Sequence, residues 1–130
     1  MTTITPICFD VKAVTESYES KQNVVDSHLA KLLDIVVRSG GEFEGNIFYH
    51  NATTVLNPDM KTKQLNIYWC GMNAPRKICE IGFNAGHSAM TLLLGRDGVT
   101  TDFTIFDINY HPYTIPTYKY IKKVFFSCQY

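Results

Sequence analysis

The stretch from Ile78 to Gly95, ICEIGFNAGHSAMTLLLG, constrains this chain more than any other. Ile78, Cys79 and Ile81 are apolar and lie between Pro75 and Gly82, which predicts a short buried strand over Lys77–Ile81. Gly82 allows the backbone to turn without a Cβ clash, and Gly86 allows a following helix to approach closely. No breaker interrupts Gly86 to Leu94, and Gly95 stands where a helix C-cap is expected, so a helix is predicted between them. The run TDFTIFD then predicts a second strand over Phe103–Asp107. A strand, turn, helix and strand in this order imply two neighbouring parallel strands and an α/β fold.

The glycine spacing selects among ligands. A dinucleotide turn, G-x-G-x-x-G, would need glycine where the chain has Asn84 and His87, and a P-loop also fails at His87. What stands instead is Glu80-x-Gly82-x-Asn84-x-Gly86, with Ser88 after the helix start. Asp107 follows roughly 20 residues beyond the turn, the distance at which an acid meets ribose hydroxyls in nucleoside sites on doubly wound sheets. Free amides at the helix start favour a carboxylate or phosphate.

This pattern resembles motif I of class I S-adenosylmethionine-dependent methyltransferases, where an acid precedes alternating glycines. Asn84 replaces the middle glycine, and asparagine tolerates left-handed backbone. The resemblance covers Lys77 to about Phe125 and, more loosely, Pro58 to Asn73. It implies a partial Rossmann-like methyltransferase fold, the first βαβα units of a doubly wound parallel sheet. An α-rich N-terminal segment (1–56) would precede the cofactor-binding part (57–130). It further implies S-adenosylmethionine as cofactor, S-adenosylhomocysteine as product and a small molecule as methyl acceptor. Gly82 and Gly86 would flank the methionine part, with Asn84, His87 and Ser88 in the same cradle. Glu80 would help hold the ammonium, Asp107 the ribose, and Ile108 would pack on adenine. No catalytic base is implied. Because only the first two strands of such a sheet precede Tyr130, the expectation is a truncated product, weak as an enzyme alone. The N-terminal elements, a homo-oligomer or a partner chain would complete it.

Other readings of the same residues stand beside these. The two glycines also suit an ordinary βα turn, and Asp107 can cap the turn at Asn109-Tyr110-His111-Pro112. His87 reads as a polar helix-start residue and His111 as a solvated loop histidine. A non-catalytic cofactor-binding remnant or interaction module is the alternative function, and another nucleotide-binding α/β protein the third.

At 130 residues with zero formal net charge, the chain suits one domain, and no basic excess points to nucleic acid. No apolar run has the length of a membrane span, and TTITPICF lacks the form of a secretory leader. Cys8, Cys70, Cys79 and Cys128 are scattered, with Cys79 read as a small core residue, which suggests a reducing, cytoplasmic setting. His28, His50, His87 and His111 show no ligand spacing, so no metal is expected.

Upstream, Val14, Tyr18, Val25, Leu29, Leu32 and Val36 recur at helical spacing and predict one long core-facing helix over Val11–Arg38, ended by Ser39-Gly40-Gly41. Glu42–His50 reads as extended, with Ile47 and Tyr49 alternating against Phe48. Asn57-Pro58-Asp59 is a helix start, for a helix with Leu65, Trp69 and Met72 on its inner face, stopped by Ala74-Pro75. A last, half-buried helix is expected from about Thr117 to Phe126.

Overall fold

The computed structural model describes residues 9–44 and 46–126. The N-terminal leader reading, Cys8 and Cys128 lie outside the described residues. Within them the protein is mixed α/β, with five α-helices and a two-stranded parallel sheet.

Helix α1 (Val11–Ser20) starts at Asp10, whose Oδ1 accepts the Ala13 amide at 3.1 Å. Helix α2 (Gln22–Ser39) ends at Gly40, whose φ of +73° gives the left-handed cap that glycine favours. The single helix expected here is thus two, and the break has a cause. All six apolar stripe residues are buried, but Lys21 falls on the same stripe. An ammonium cannot enter an apolar core unpaired. The chain departs from helix at Lys21, whose Nζ donates to the Leu94 carbonyl at 2.7 Å and meets Asp97 at 3.0 Å.

Ile47, Phe48 and Tyr49 are all buried, so the expected alternation in 42–50 is absent. Asn46 Oδ1 accepts the Phe48 and Tyr49 amides, and the bridge pairing there among the described residues is an isolated one between Tyr49 and Leu56. Asn57 does start the next helix: its side chain accepts the Asp59 amide, a 3-10 turn spans Pro58–Met60, and α3 (Lys61–Asn73) follows.

The buried face of α3 is Gln64, Tyr68 and Gly71, one residue off the expected stripe, and Met72 is exposed. Close backbone approach decides this. Helix α4 (His87–Arg96) crosses α3 so tightly that a Cβ at Gly71 would lie 2.1 Å from the Leu92 carbonyl oxygen. A Cβ at Gly95 would lie 2.3 Å from that of Tyr68. Gly95 is therefore an interior helix residue rather than a cap, and Asp97, with φ +51°, ends α4 instead. Buried polar groups on this face are paired: the Tyr18 hydroxyl donates to Gln64 Oε1, and Gln64 Nε2 donates to the Ile47 carbonyl.

Strands β1 (Lys77–Ile81) and β2 (Asp102–Phe106) pair in parallel, with Lys77 opposite Asp102 and Ile81 opposite Phe106. The second strand ends one residue before Asp107. One sheet face is half-buried through Ile78, Glu80, Phe103 and Ile105. The other is bare, with Ile81 85% and Phe106 59% exposed. Cys79 lies on that bare face and is exposed, which corrects its reading as a core residue: strict alternation places it opposite the helices. Helix α5 (Thr114–Phe126) begins three residues earlier than expected, because Pro116 falls in its first turn, where no amide donor is required.

Arg96, buried at the end of α4, ties the chain ahead of both strands. Its guanidinium donates to the Ala74 carbonyl, the Thr101 hydroxyl and the Thr100 carbonyl. Among the described residues no helix is long and apolar enough to cross a membrane.

Gly95→Ala should destabilise the fold by about 2–3 kcal/mol or more, since its methyl meets backbone that cannot give way. Gly40→Ala, with nothing within 4 Å of the added Cβ, should cost only the left-handed penalty of roughly 1–2 kcal/mol. Urea unfolding of the two variants checks the ranking.

Candidate functional site

The carboxyl ends of β1 and β2 lie side by side, and the turn from Gly82 to Gly86 joins β1 to α4. Gly82 has φ +83°, and its amide donates to the Phe106 carbonyl at 2.8 Å, extending the strand ladder by one bond. Asn84 takes the left-handed conformation, φ +53°, that its sequence position demands. Gly86 has φ +82°, and a Cβ there would lie 2.6 Å from the Phe83 ring and 3.3 Å from Ile121. Glycine is needed at 86 both for the backbone and for the Phe83 side chain folded beneath it.

Asp107 joins the two halves. Its Oδ2 accepts the Asn84 amide at 2.9 Å and its Oδ1 accepts the Asn109 amide at 2.6 Å. The second bond is the capping role read as its alternative, and the first ties it to the glycine turn. Both roles hold together. Partial burial raises its carboxyl pKa, but the amides of Asn84, Asn109 and Phe83, with His111 nearby, hold it below the ordinary value. Asn84 Nδ2 also donates to the Glu44 carbonyl at 2.8 Å, so the turn is tied to the segment before Asn46 as well.

Glu80 lies on the helix-facing side of β1, where its Oε1 accepts the Ser88 hydroxyl. Among the described residues its Oε2 is buried without a partner. Burial pushes its pKa up to about 7 against the pull of the Ser88 bond, with the Asp107 charge adding to the rise.

His87 is where the structure departs furthest from a polar helix-start reading. It is 2% exposed, and the rings of Phe43, Phe48 and Tyr49 stand 5.4, 5.8 and 5.8 Å from its own. Neither ring nitrogen has a hydrogen-bond partner among the described residues, and burial pulls its pKa down to about 4. The three caging aromatics come from the segment whose alternation in sequence would have put Phe48 and Tyr49 on opposite faces, so the sequence carried no signal for their meeting at His87. His111 is half-buried, stacked on Tyr113 at 4.8 Å and 3.7 Å from Glu44, rather than solvated.

Glu80, Gly82, Asn84, Gly86, His87, Ser88 and Asp107 are thus brought together by direct bonds and the turn itself. Ile108 is next in sequence but 90% exposed. A cavity of about 250 Å³ opens beside Asp107, walled by Phe83, Ile105, Asn109 and Tyr118. A second, of about 80 Å³, lies between Asn46–Ile47 and the turn. No three His, Cys, Asp or Glu side chains among the described residues converge as a metal set. Comparisons with protein-family models, with curated proteins and with solved structures give no match.

Glu80 and His87 pull the pH dependence of stability in opposite directions. Folded Glu80 keeps its proton up to about pH 7, whereas an unfolded one releases it near 4.5. Its contribution is complete below 4.5 and lost as pH rises through 7. His87 stays neutral when folded down to about pH 4 but protonates near 6.5 when unfolded, so its contribution is lost as pH falls from 6.5 to 4. Relative to the wild type, Glu80→Gln should therefore gain stability on the order of 2 kcal/mol between pH 4.5 and 7.5. Parallel denaturation curves across that range would disprove it.

Proposed function

We propose that this chain carries the cofactor half of a class I S-adenosylmethionine-dependent methyltransferase, on a Rossmann-like sheet. The observation that carries the reading is the bond from the Asn84 amide to Asp107. It joins the glycine turn to the acid after the next strand, at the carboxyl ends of two adjacent parallel strands, where open α/β sheets bind ligands.

The residues present suit that cofactor. A carboxylate has about four acceptor positions, and the amides of Asn84, Asn109 and Phe83 take up to three of those on Asp107, which leaves acceptor capacity for a ribose hydroxyl. Glu80, with one oxygen unpartnered, is placed for an ammonium. The turn from Gly82 to Gly86, followed by the His87 and Ser88 helix start, takes the amino-acid end. Ile108 offers an apolar side chain to adenine. The bound cofactor supplies an electrophilic methyl group, and the chain's own part is orientation, because displacement depends on holding nucleophile and methyl in line. The acceptor is a small molecule. The exposed free thiols Cys70 and Cys79 suit a reducing, cytoplasmic setting.

One observation favours the second reading, a cofactor-holding module. The bare sheet face, with Ile81, Phe106 and Ile108 exposed, gives the site a wall on one side only among the described residues. A second copy or a partner chain that covers this face would complete the site, and the chain alone would bind better than it turns over.

Calorimetry with S-adenosylhomocysteine tests the assignment. Binding should be measurable and not displaced by NAD or ATP. Asp107→Ala should weaken it by about 1.5–3 kcal/mol, the value of a charge-assisted hydrogen bond. Equal affinity in the two proteins would remove Asp107 from the site, and displacement by NAD would move the chain to the dinucleotide binders.

A further inference from the structure

The bare face of the sheet carries Lys77, Cys79 and Ile81 from β1 and Asp102, Thr104 and Phe106 from β2, all exposed. In register, Lys77 lies beside Asp102, Cys79 beside Thr104 and Ile81 beside Phe106. The face is therefore graded along the strands. Opposite charges stand at its start, small side chains in its middle and large apolar ones at its end. Parallel sheets ordinarily have both faces covered, and contiguous exposed apolar side chains mark a contact surface. Lys77 has no ion-pair partner among the described residues, and Asp102 meets the exposed Arg76 at 3.4 Å.

We infer that this face packs on the same face of a second copy of the chain, about a two-fold axis parallel to the strands. Sheets stacked face to face keep their strands roughly aligned. A two-fold contact is isologous, so each pairing occurs twice. An axis along the strands lays β1 over the partner's β2. Lys77 then faces the partner's Asp102, Cys79 faces the partner's Thr104, and Ile81 faces the partner's Phe106. Every charge meets its opposite, and every large apolar side chain meets another. An axis across the strands would instead set Lys77 and Asp102 on apolar side chains, which desolvates both charges without a partner. A different chain would have to bring this same order of charges and apolar groups, and the face itself already has it. The alignment puts both glycine turns at one end of the dimer, so each copy supplies a wall on the side that the other's site leaves open. Two five-residue strands make a small contact, so association is weak and shows at high protein concentration. The contact rests on the strands alone and not on the cofactor reading.

The test is sedimentation of the wild type, Lys77→Glu and Asp102→Lys, from micromolar to millimolar concentration. Alkylation of Cys79 and of the exposed Cys70 is followed alongside by peptide mass spectrometry. The wild type should pass from monomer to dimer, and Cys79, but not Cys70, should alkylate more slowly as it does. Each reversal alone sets like charges face to face twice per dimer and should weaken association roughly tenfold or more. An equimolar mixture of the two variants should recover it, because both facing pairs are again opposite in sign. Such recovery cannot come from what either reversal does within its own chain. A wild type that stays monomeric, with Cys79 alkylated at one rate throughout, would leave this face to a different chain. Dimerisation unchanged by the reversals would place the contact elsewhere. Weakening without recovery in the mixture would reject the alignment. Each of these three outcomes overturns the inference. Dimerisation with recovery, in a chain with no affinity for S-adenosylhomocysteine, would keep the contact and reject the methyl-donor assignment; binding by a strict monomer would do the reverse.

Discussion

The backbone-to-backbone contact of α3 with α4 at Gly71 and Gly95 is the constraint from which the rest of the arrangement follows. With no side chain between them, the two helices approach until carbonyl oxygens meet the opposing glycines. That fixes α4 along its length, and therefore fixes where its first residue, His87, delivers the glycine turn. The same contact explains why the inner face of α3 carries Gln64 and Tyr68 rather than Leu65 and Trp69. Apolar burial is not directional, whereas a glycine crossing tolerates only one rotation of each helix.

Two polar clamps then hold the sheet at its ends. At the start of the strands, the buried Arg96 guanidinium bonds carbonyls ahead of both β1 and β2. At their other end, Asp107 bonds the turn that follows β1 and the loop that follows β2. Five-residue parallel strands with one bare face have little packing of their own, and parallel sheets ordinarily have both faces covered. The clamps hold the strands in register where, among the described residues, nothing packs on that face. An anionic site beside two amides at one end and a cation among carbonyls at the other also make the two ends chemically unlike, and a ligand suited to one does not suit the other.

What was legible in the sequence is what local rules govern. The strand at Lys77–Ile81, the turn, the cap at Asn57 and the stripe from Val14 to Val36 follow from period, glycine and capping chemistry. So does the cap that Asp107 gives the Asn109 amide, whereas its bond to the Asn84 amide has no signal in the sequence. Four of the misreadings have tertiary causes. Lys21 breaks a helix because its ammonium reaches the end of α4. Gly95 continues a helix because α3 leaves no space for anything larger. Cys79 is exposed because nothing among the described residues covers its side of the sheet. His87 is the clearest case: its polarity argued for solvent, and only the folded positions of Phe43, Phe48 and Tyr49 enclose it.

The unsatisfied groups are not scattered evenly. Glu80 and His87, a carboxyl and an imidazole each buried with polar atoms unpartnered among the described residues, flank one five-residue turn. Each costs stability there, and a sequence selected for stability alone would replace them with apolar residues of similar volume. Elsewhere in the interior the chain pairs many of its polar groups: Gln64 has bonds at both ends, Arg96 has several, and the half-buried Lys21 has two. Local rules broken around one turn, and beyond it at Tyr113 and Thr114 among the described residues, are the pattern expected of a functional site. The turn is therefore marked twice, once by the geometry that Asp107 imposes on it and once by the energetic cost of the groups placed around it.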